Sequence, residues 1–237
     1  MTANKKILFI PGMLCDERLW HFMYKNLAPN IQAQCRWVTF EKCHNLNDCF
    51  HVIHEKGGDY FSLVGFSMGG FVAIEYLLQY PEKVSSFSLI SASANGYSPE
   101  EKNQRINLIK NADDFSSIVS PRRFARWIFS EHPEKISIIN TMCDMAESFQ
   151  KEGFIKQQSI TLNRSNRLLQ LSEIINRKNI PLLIVHGSND FIVSPIHAKA
   201  ISELVPLAEV WYLDKCGHML PLEYPVELAN ILNEWIK

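Results

Sequence analysis

The stretch that most limits what this chain can fold into runs from Tyr60 to Leu78. An apolar segment with Phe61, Leu63 and Val64 leads into Gly65-Phe66-Ser67-Met68-Gly69-Gly70, and a second segment follows with Phe71, Ile74, Leu77 and Leu78 at helical spacing. This pattern predicts a strand, a sharp turn and a helix, with a serine at the tip. Such an elbow lifts the serine hydroxyl off the sheet on a strained backbone. Positions two before and two after the serine are crowded by the turn, and glycine is the residue that fits there. The same geometry sets Ser67 at a helix N-terminus, so the Met68 N–H points where negative charge gathers on an attacked carbonyl. G-x-S-x-G alone is a common string that also describes a flexible glycine loop; the flanking strand and helix give it meaning.

The remainder of the chain supplies a matching framework. Lys5 to Ile10 reads as a buried strand stopped by Pro11-Gly12. Asp16 is a candidate cap for a helix carrying Leu19, Trp20, Met23 and Leu27. Arg36 to Glu41 reads as a second strand, and Leu46 to Lys56 as a helix closed by Gly57-Gly58. After the elbow, Val84 to Ser91 is a fourth strand. The rhythm then breaks, and from about Asn95 to Asn179 only helical patterns recur. Alternation returns with Ile180 to His186, a helix from Pro195 to Leu204, a strand from Ala208 to Leu213 and a helix from Pro225 to Trp235. The expectation is an α/β fold: a mainly parallel sheet of about six strands, helices on both faces, and a helical insertion. Its core is expected in residues 1–94 and 180–237, and the insertion in 95–179.

A serine is a weak nucleophile until a base takes its proton and an acid holds that base in one tautomer. Both partners belong in loops at the carboxyl ends of later strands. Such loops carry Ser188-Asn189-Asp190 and Asp214-Lys215-Cys216-Gly217-His218. Ser67, Asp190 and His218 are therefore the candidate nucleophile, orienting acid and base. His186 reads as a structural histidine at a strand end, His197 falls in the next helix, His21 on a helix surface, and Asp214 shapes the loop before His218.

Composition excludes several other classes. With 237 residues, 46% of them hydrophobic, the chain can bury a substantial core. A formal net charge of -1 provides no electrostatic case for nucleic acid. No apolar run reaches the roughly 20 residues of a membrane span, and the run before Pro11 is too short for a signal peptide. A cytoplasmic protein with reduced thiols is expected, since six cysteines without a secretory signal do not argue for a disulfide framework. Cys43, His44, Cys49, His51 and His54 cluster, but their spacing matches no zinc pattern, so no metal is expected. Gly65 to Gly70 lacks both the G-x-G-x-x-G spacing and the Gly-Lys-Ser/Thr ending of nucleotide-binding loops.

Throughout its length the chain resembles α/β-hydrolase-fold serine esterases. The resemblance rests on Gly65-Phe-Ser-Met-Gly-Gly70, His186-Gly-Ser-Asn-Asp190, Gly217-His218 and the segment Pro221-Leu-Glu-Tyr-Pro225. It implies a second oxyanion donor at the backbone N–H of Met13, beside that of Met68. Many relatives have His-Gly where this chain has Pro11-Gly12, and the family's N-terminal antiparallel strands have no room before Lys5. The insertion resembles a helical cap. Trp127, Met142, Met145, Phe149 and Met219, with Met13 and Met68, are candidates to line an acyl pocket, or else pack the cap on the sheet. Between Tyr97 and Asn179 basic residues slightly outnumber acidic ones. Arg122, Arg123 and Arg126 concentrate that charge as a solvated face or, as the similar pimeloyl-carrier methyl ester esterases suggest, an acyl-carrier dock. The implied activity is cofactor-free hydrolysis of a carboxylic ester. Two alternatives are a lyase of the same fold, similar to the menaquinone-pathway enzyme, and a ligand-binding protein on a hydrolase scaffold.

Overall fold

In a computed structural model describing residues 5–236, six strands form one sheet: β1 (Ile7–Ile10), β2 (Cys35–Trp37), β3 (Phe61–Phe66), β4 (Val84–Ile90), β5 (Leu182–Gly187) and β6 (Glu209–Leu213). Their spatial order is β2-β1-β3-β4-β5-β6, and every neighbouring pair is parallel. Met1–Asn4 and Lys237, the outer ends of the expected core segments and the start of the stretch read against a signal peptide, lie outside the described residues.

Nearly continuous apolar runs make β1, β3 and β5 fully buried, as strands covered on both faces must be. Side chains alternate between two hydrophobic clusters. Phe9, Val64 and Val185 pack with Trp20 and Leu228, while Leu8, Ile10, Leu63 and Ile184 pack with Ile53, Ile74 and Ile201. Helices therefore cover each face, among them Leu46–Gly57, Met68–Gln79 and Ile196–Leu204 on one and Pro225–Trp235 on the other.

Strand β2 is shorter than its sequence suggests. Val38 still donates to Phe9 O at 3.0 Å, but β1 runs into Pro11, which has no N–H to extend the ladder. Asp16 caps a 3-10 turn, Glu17–Trp20, rather than the whole predicted helix; a short helix, His21–Lys25, continues it. Gly58, at φ 86°, is the residue that ends Leu46–Gly57.

Between β4 and β5 the described residues hold helices and turns only. The longest are Pro99–Lys110, opened by a Ser98–Glu101 capping box, Lys135–Thr161 and Leu168–Lys178. Lys135–Thr161 is two helices meeting at Gln150, whose φ of 57° and ψ of -178° interrupt the spiral. Met142, Met145, Phe149 and Phe154 from this segment join the cluster that includes Phe9 and Val64. The inserted helices thus share a hydrophobic core with the sheet.

All six cysteines are free. Cys43 and Cys49 are buried, whereas His44 and His51 point to solvent and His54 donates from Nδ1 to Phe50 O at 2.9 Å. No group of three metal-binding side chains occurs among the described residues. Within the same residues, no helix is long and apolar enough to cross a membrane.

Candidate active site

The sheet reverses its winding between β1 and β3: the chain leaves β1 toward β2 on one side and leaves β3 toward β4 on the other. A crevice opens outside the carboxyl ends of strands at such a point. Ser67 follows β3 there, with φ 51° and ψ -113° as the N-cap of Met68–Gln79. A non-glycine residue in that region costs about 1–3 kcal/mol, borne by the packing around it. A Cβ on Gly65 would fall 2.7 Å from Gly70 Cα, and one on Gly69 would fall 2.3 Å from Ile10 O. The second contact seats the elbow against the end of β1, which brings the Gly12-Met13 loop beside Ser67.

Loops after β5 and β6 complete the arrangement. Ser188 N–H donates to Leu213 O and Asn189 N–H to Cys216 O, each at 2.9 Å, so the two loops are fastened to each other. His218 Nε2 lies 2.9 Å from Ser67 Oγ, and His218 Nδ1 lies 2.8 Å from Asp190 Oδ2. A carboxylate facing Nδ1 holds the proton on that nitrogen, which leaves Nε2 to accept from the serine hydroxyl. The ring is wedged between Phe66 and Trp127, with centroids 5.3 and 5.6 Å away. Burial by itself would raise the Asp190 carboxyl. The positive charge that His218 carries when protonated, the nearby His186 Nε2–H, and hydrogen bonds from His218 Nδ1–H and the Val193 N–H outweigh it and hold the group well below the usual carboxylate range. Asp190 Oδ1 accepts from the N–H groups of Ile192 and Val193 at 2.8 and 2.9 Å.

Neither the Met13 N–H nor the Met68 N–H donates to a backbone acceptor among the described residues. The neighbouring Leu14, at φ 55°, donates its N–H to Gln157 Oε1 at 2.7 Å. A buried glutamine of the inserted helices therefore fixes the loop that carries Met13.

A cavity of about 400 Å³ opens at Ser67. Met13, Met68, Trp127, Met142 and Met145 line it, whereas Phe149 and Met219 do not. Those two pack wholly into the hydrophobic cluster, because sharing a helical stripe or a loop with a lining residue does not fix which way a side chain turns. Arg122, Arg123 and Arg126 are exposed, and Arg123 also reaches the cavity wall. Asp214 and His21 are exposed and away from the serine. His186 is more than a core histidine: Nε2 donates to Val193 O at 2.8 Å and lies 3.4 Å from Asp190 Oδ2.

Several residues at the site carried no role in the sequence. Glu223 is one: its buried Oε2 accepts from Gly217 N–H at 2.8 Å and from Phe129 N–H at 2.9 Å. It joins the His218 loop to the insertion, and burial raises its carboxyl above the usual range. A signal existed in Pro221-Leu-Glu-Tyr-Pro225, a lone acid in an apolar loop. His197 was read only as a helix residue; Gln157 and Arg105 went unmarked because amides and charges on helices read as solvated faces, and Tyr97 and Arg164 because they stand in loops without a motif.

Sheet order, elbow and loop placement together define an α/β-hydrolase fold. A family profile described as the alpha/beta hydrolase fold matches residues 39–225, and the chain belongs to that family. Curated relatives include the Xenopus laevis protein named monoacylglycerol lipase abhd6-A, 25% identical over 99% of this chain and 76% of its own length. A Bacillus subtilis protein named for 2-succinyl-6-hydroxy-2,4-cyclohexadiene-1-carboxylate synthase activity is 24% identical over 99% of this chain and 91% of its own. Among solved structures, a thermophilic esterase from Thermogutta terrifontis superposes with a TM-score of 0.83 at 19% identity, covering 98% of this chain and 89% of that one. At that identity the superposition speaks for the fold. The chain is thus a hydrolase-fold protein whose relatives include lipases and esterases.

Proposed function

We propose that this protein is a cofactor-free serine hydrolase that cleaves a carboxylic ester. Ser67 Oγ attacks the carbonyl carbon as its proton passes to His218 Nε2, while Asp190 steadies the imidazolium. The tetrahedral oxyanion sits between the N–H groups of Met13 and Met68. His218 returns the proton to the departing alcohol, leaving an acyl group on Ser67. A water activated by His218 then releases the acid and restores the serine. Residues 95–179 act as the cap over this reaction, and Trp127, Met142 and Met145 receive the apolar part of the ester.

The observation that carries this reading is the pair of hydrogen bonds made by one buried imidazole, 2.9 Å to the serine and 2.8 Å to the aspartate. It is tested by turnover of a 4-nitrophenyl ester. Ser67→Ala and His218→Ala should each lower kcat by about a millionfold with circular dichroism unchanged. Undiminished activity in Ser67→Ala would overturn the assignment.

The match to the Bacillus subtilis synthase favours a second reading, in which the same three side chains abstract a proton and expel a leaving group without an acyl-enzyme. A covalent acyl adduct formed during turnover separates the two.

A further inference from the structure

We propose that the polar end of the cavity recognises a free carboxylate on the substrate, so that the ester cleaved is an anionic one. This rests on the ester-hydrolase reading above and narrows its substrate class. Arg105 and Arg164 both line the cavity that reaches Ser67. Neither has a carboxylate within ion-pair distance among the described residues. Arg105 donates from Nη1 to Gln158 Oε1 at 3.3 Å, and its buried Nε has no partner among those residues. Arg164 donates from Nε to Asn95 O at 2.8 Å and from Nη2 to Ser93 O.

Both guanidinium groups gather around one ring: their Cζ atoms lie 4.0 Å and 5.6 Å from the centroid of Tyr97. Arginine stays charged at any physiological pH, and two like charges drawn together without a counter-ion are costly unless an anion answers them. A carboxylate does so with its two oxygens matched to the guanidinium fork. Glu101 also lines the cavity but is exposed, and its Oε2 is held by the Ser98 N–H at 2.8 Å. It pairs with neither guanidinium, so the two arginines keep positive charge with which to meet an incoming carboxylate. Leu108, Met142, Met145 and Phe154 also line this cavity and suit the hydrocarbon part.

The test compares kcat/KM for two matched pairs of esters. In one pair, 4-nitrophenyl valerate and mono-4-nitrophenyl glutarate, the carboxylate is on the acyl side. In the other, phenyl valerate and 4-carboxyphenyl valerate, it is on the alcohol side. The anionic member of one pair should be preferred by about tenfold or more, as a charge-assisted contact provides. In Arg105→Gln that ratio should collapse toward one, and Arg105→Lys should restore part of it, a rescue that a merely structural role does not give. Hydrolysis without preference for either anion overturns this inference and leaves the hydrolase reading standing. A preference that survives in both Arg105→Gln and Arg164→Gln also overturns it. Failure of the wild-type protein to turn over any of the four esters sinks the hydrolase reading and this one together.

Discussion

Asp190 is the most heavily committed side chain at the site, with both oxygens engaged and no solvent exposure at the carboxylate. Asp190→Asn keeps the shape but removes the charge that fixes the His218 tautomer. Its kcat should fall by about a thousandfold to ten-thousandfold, measured on a 4-nitrophenyl ester. The depressed carboxyl also fixes the sign of an acid effect. A group that ionises more readily when folded stabilises the protein above its ordinary range, and that contribution fades as pH falls through the folded value. The difference in Tm between wild type and Asp190→Asn should therefore be widest near neutrality and narrow in acid below the ordinary carboxylate range. At this scale the sequence was informative for Ser67, because crowding at an elbow demands particular residue types, and for His218 and Asp190, because strand ends limit where partners can stand. It was silent on Arg105 and Arg164, whose meaning depends on what lies opposite them across a fold.

Two elements of the insertion are tied to the site rather than resting over it. Gln157 holds the Met13 loop through Leu14 N–H, and Trp127 O accepts from the His218 N–H at 2.6 Å while Glu223 fastens Phe129 to Gly217. Gln157→Leu would leave a buried N–H unpaired, at about 1–3 kcal/mol of stability. It should lower Tm and reduce kcat more than it raises KM. Glu223 gives the opposite pH sign to Asp190. A carboxyl that holds its proton more tightly when folded makes stability fall as pH climbs from the ordinary range through the raised value. Glu223→Gln mimics the protonated form, so its Tm relative to wild type should improve as pH rises from the ordinary carboxylate range through the raised value; a constant difference would contradict this. The break at Gln150 was not legible, since glutamine has no backbone preference that announces a kink, whereas the end of Leu46–Gly57 was, because its double glycine permits the positive φ that stops the helix at Gly58.

At the level of the whole molecule, both hydrophobic clusters combine sheet residues with inserted ones. Phe9 and Val64 share one with Met145 and Phe154; Leu89 and Ile184 share the other with Ile160 and Ile174. Unfolding should therefore be one cooperative transition by calorimetry, and a separate early transition for the helical segment would contradict a shared core. The alternation of strands and helices made the sheet readable in the sequence, since apolar runs broken by turns leave few ways to wind. How the insertion packs was unreadable, because its helices bury themselves through contacts with residues far away in the chain. The central claim is that the fold joins three distant residues into one acylating unit. It is tested most directly by peptide mass spectrometry on the protein, acid-quenched during turnover of 4-nitrophenyl valerate. The expected result is a valeryl group on the peptide containing Ser67, absent in Ser67→Ala and His218→Ala. An acyl group on another residue, or sustained turnover by Ser67→Ala, would contradict it.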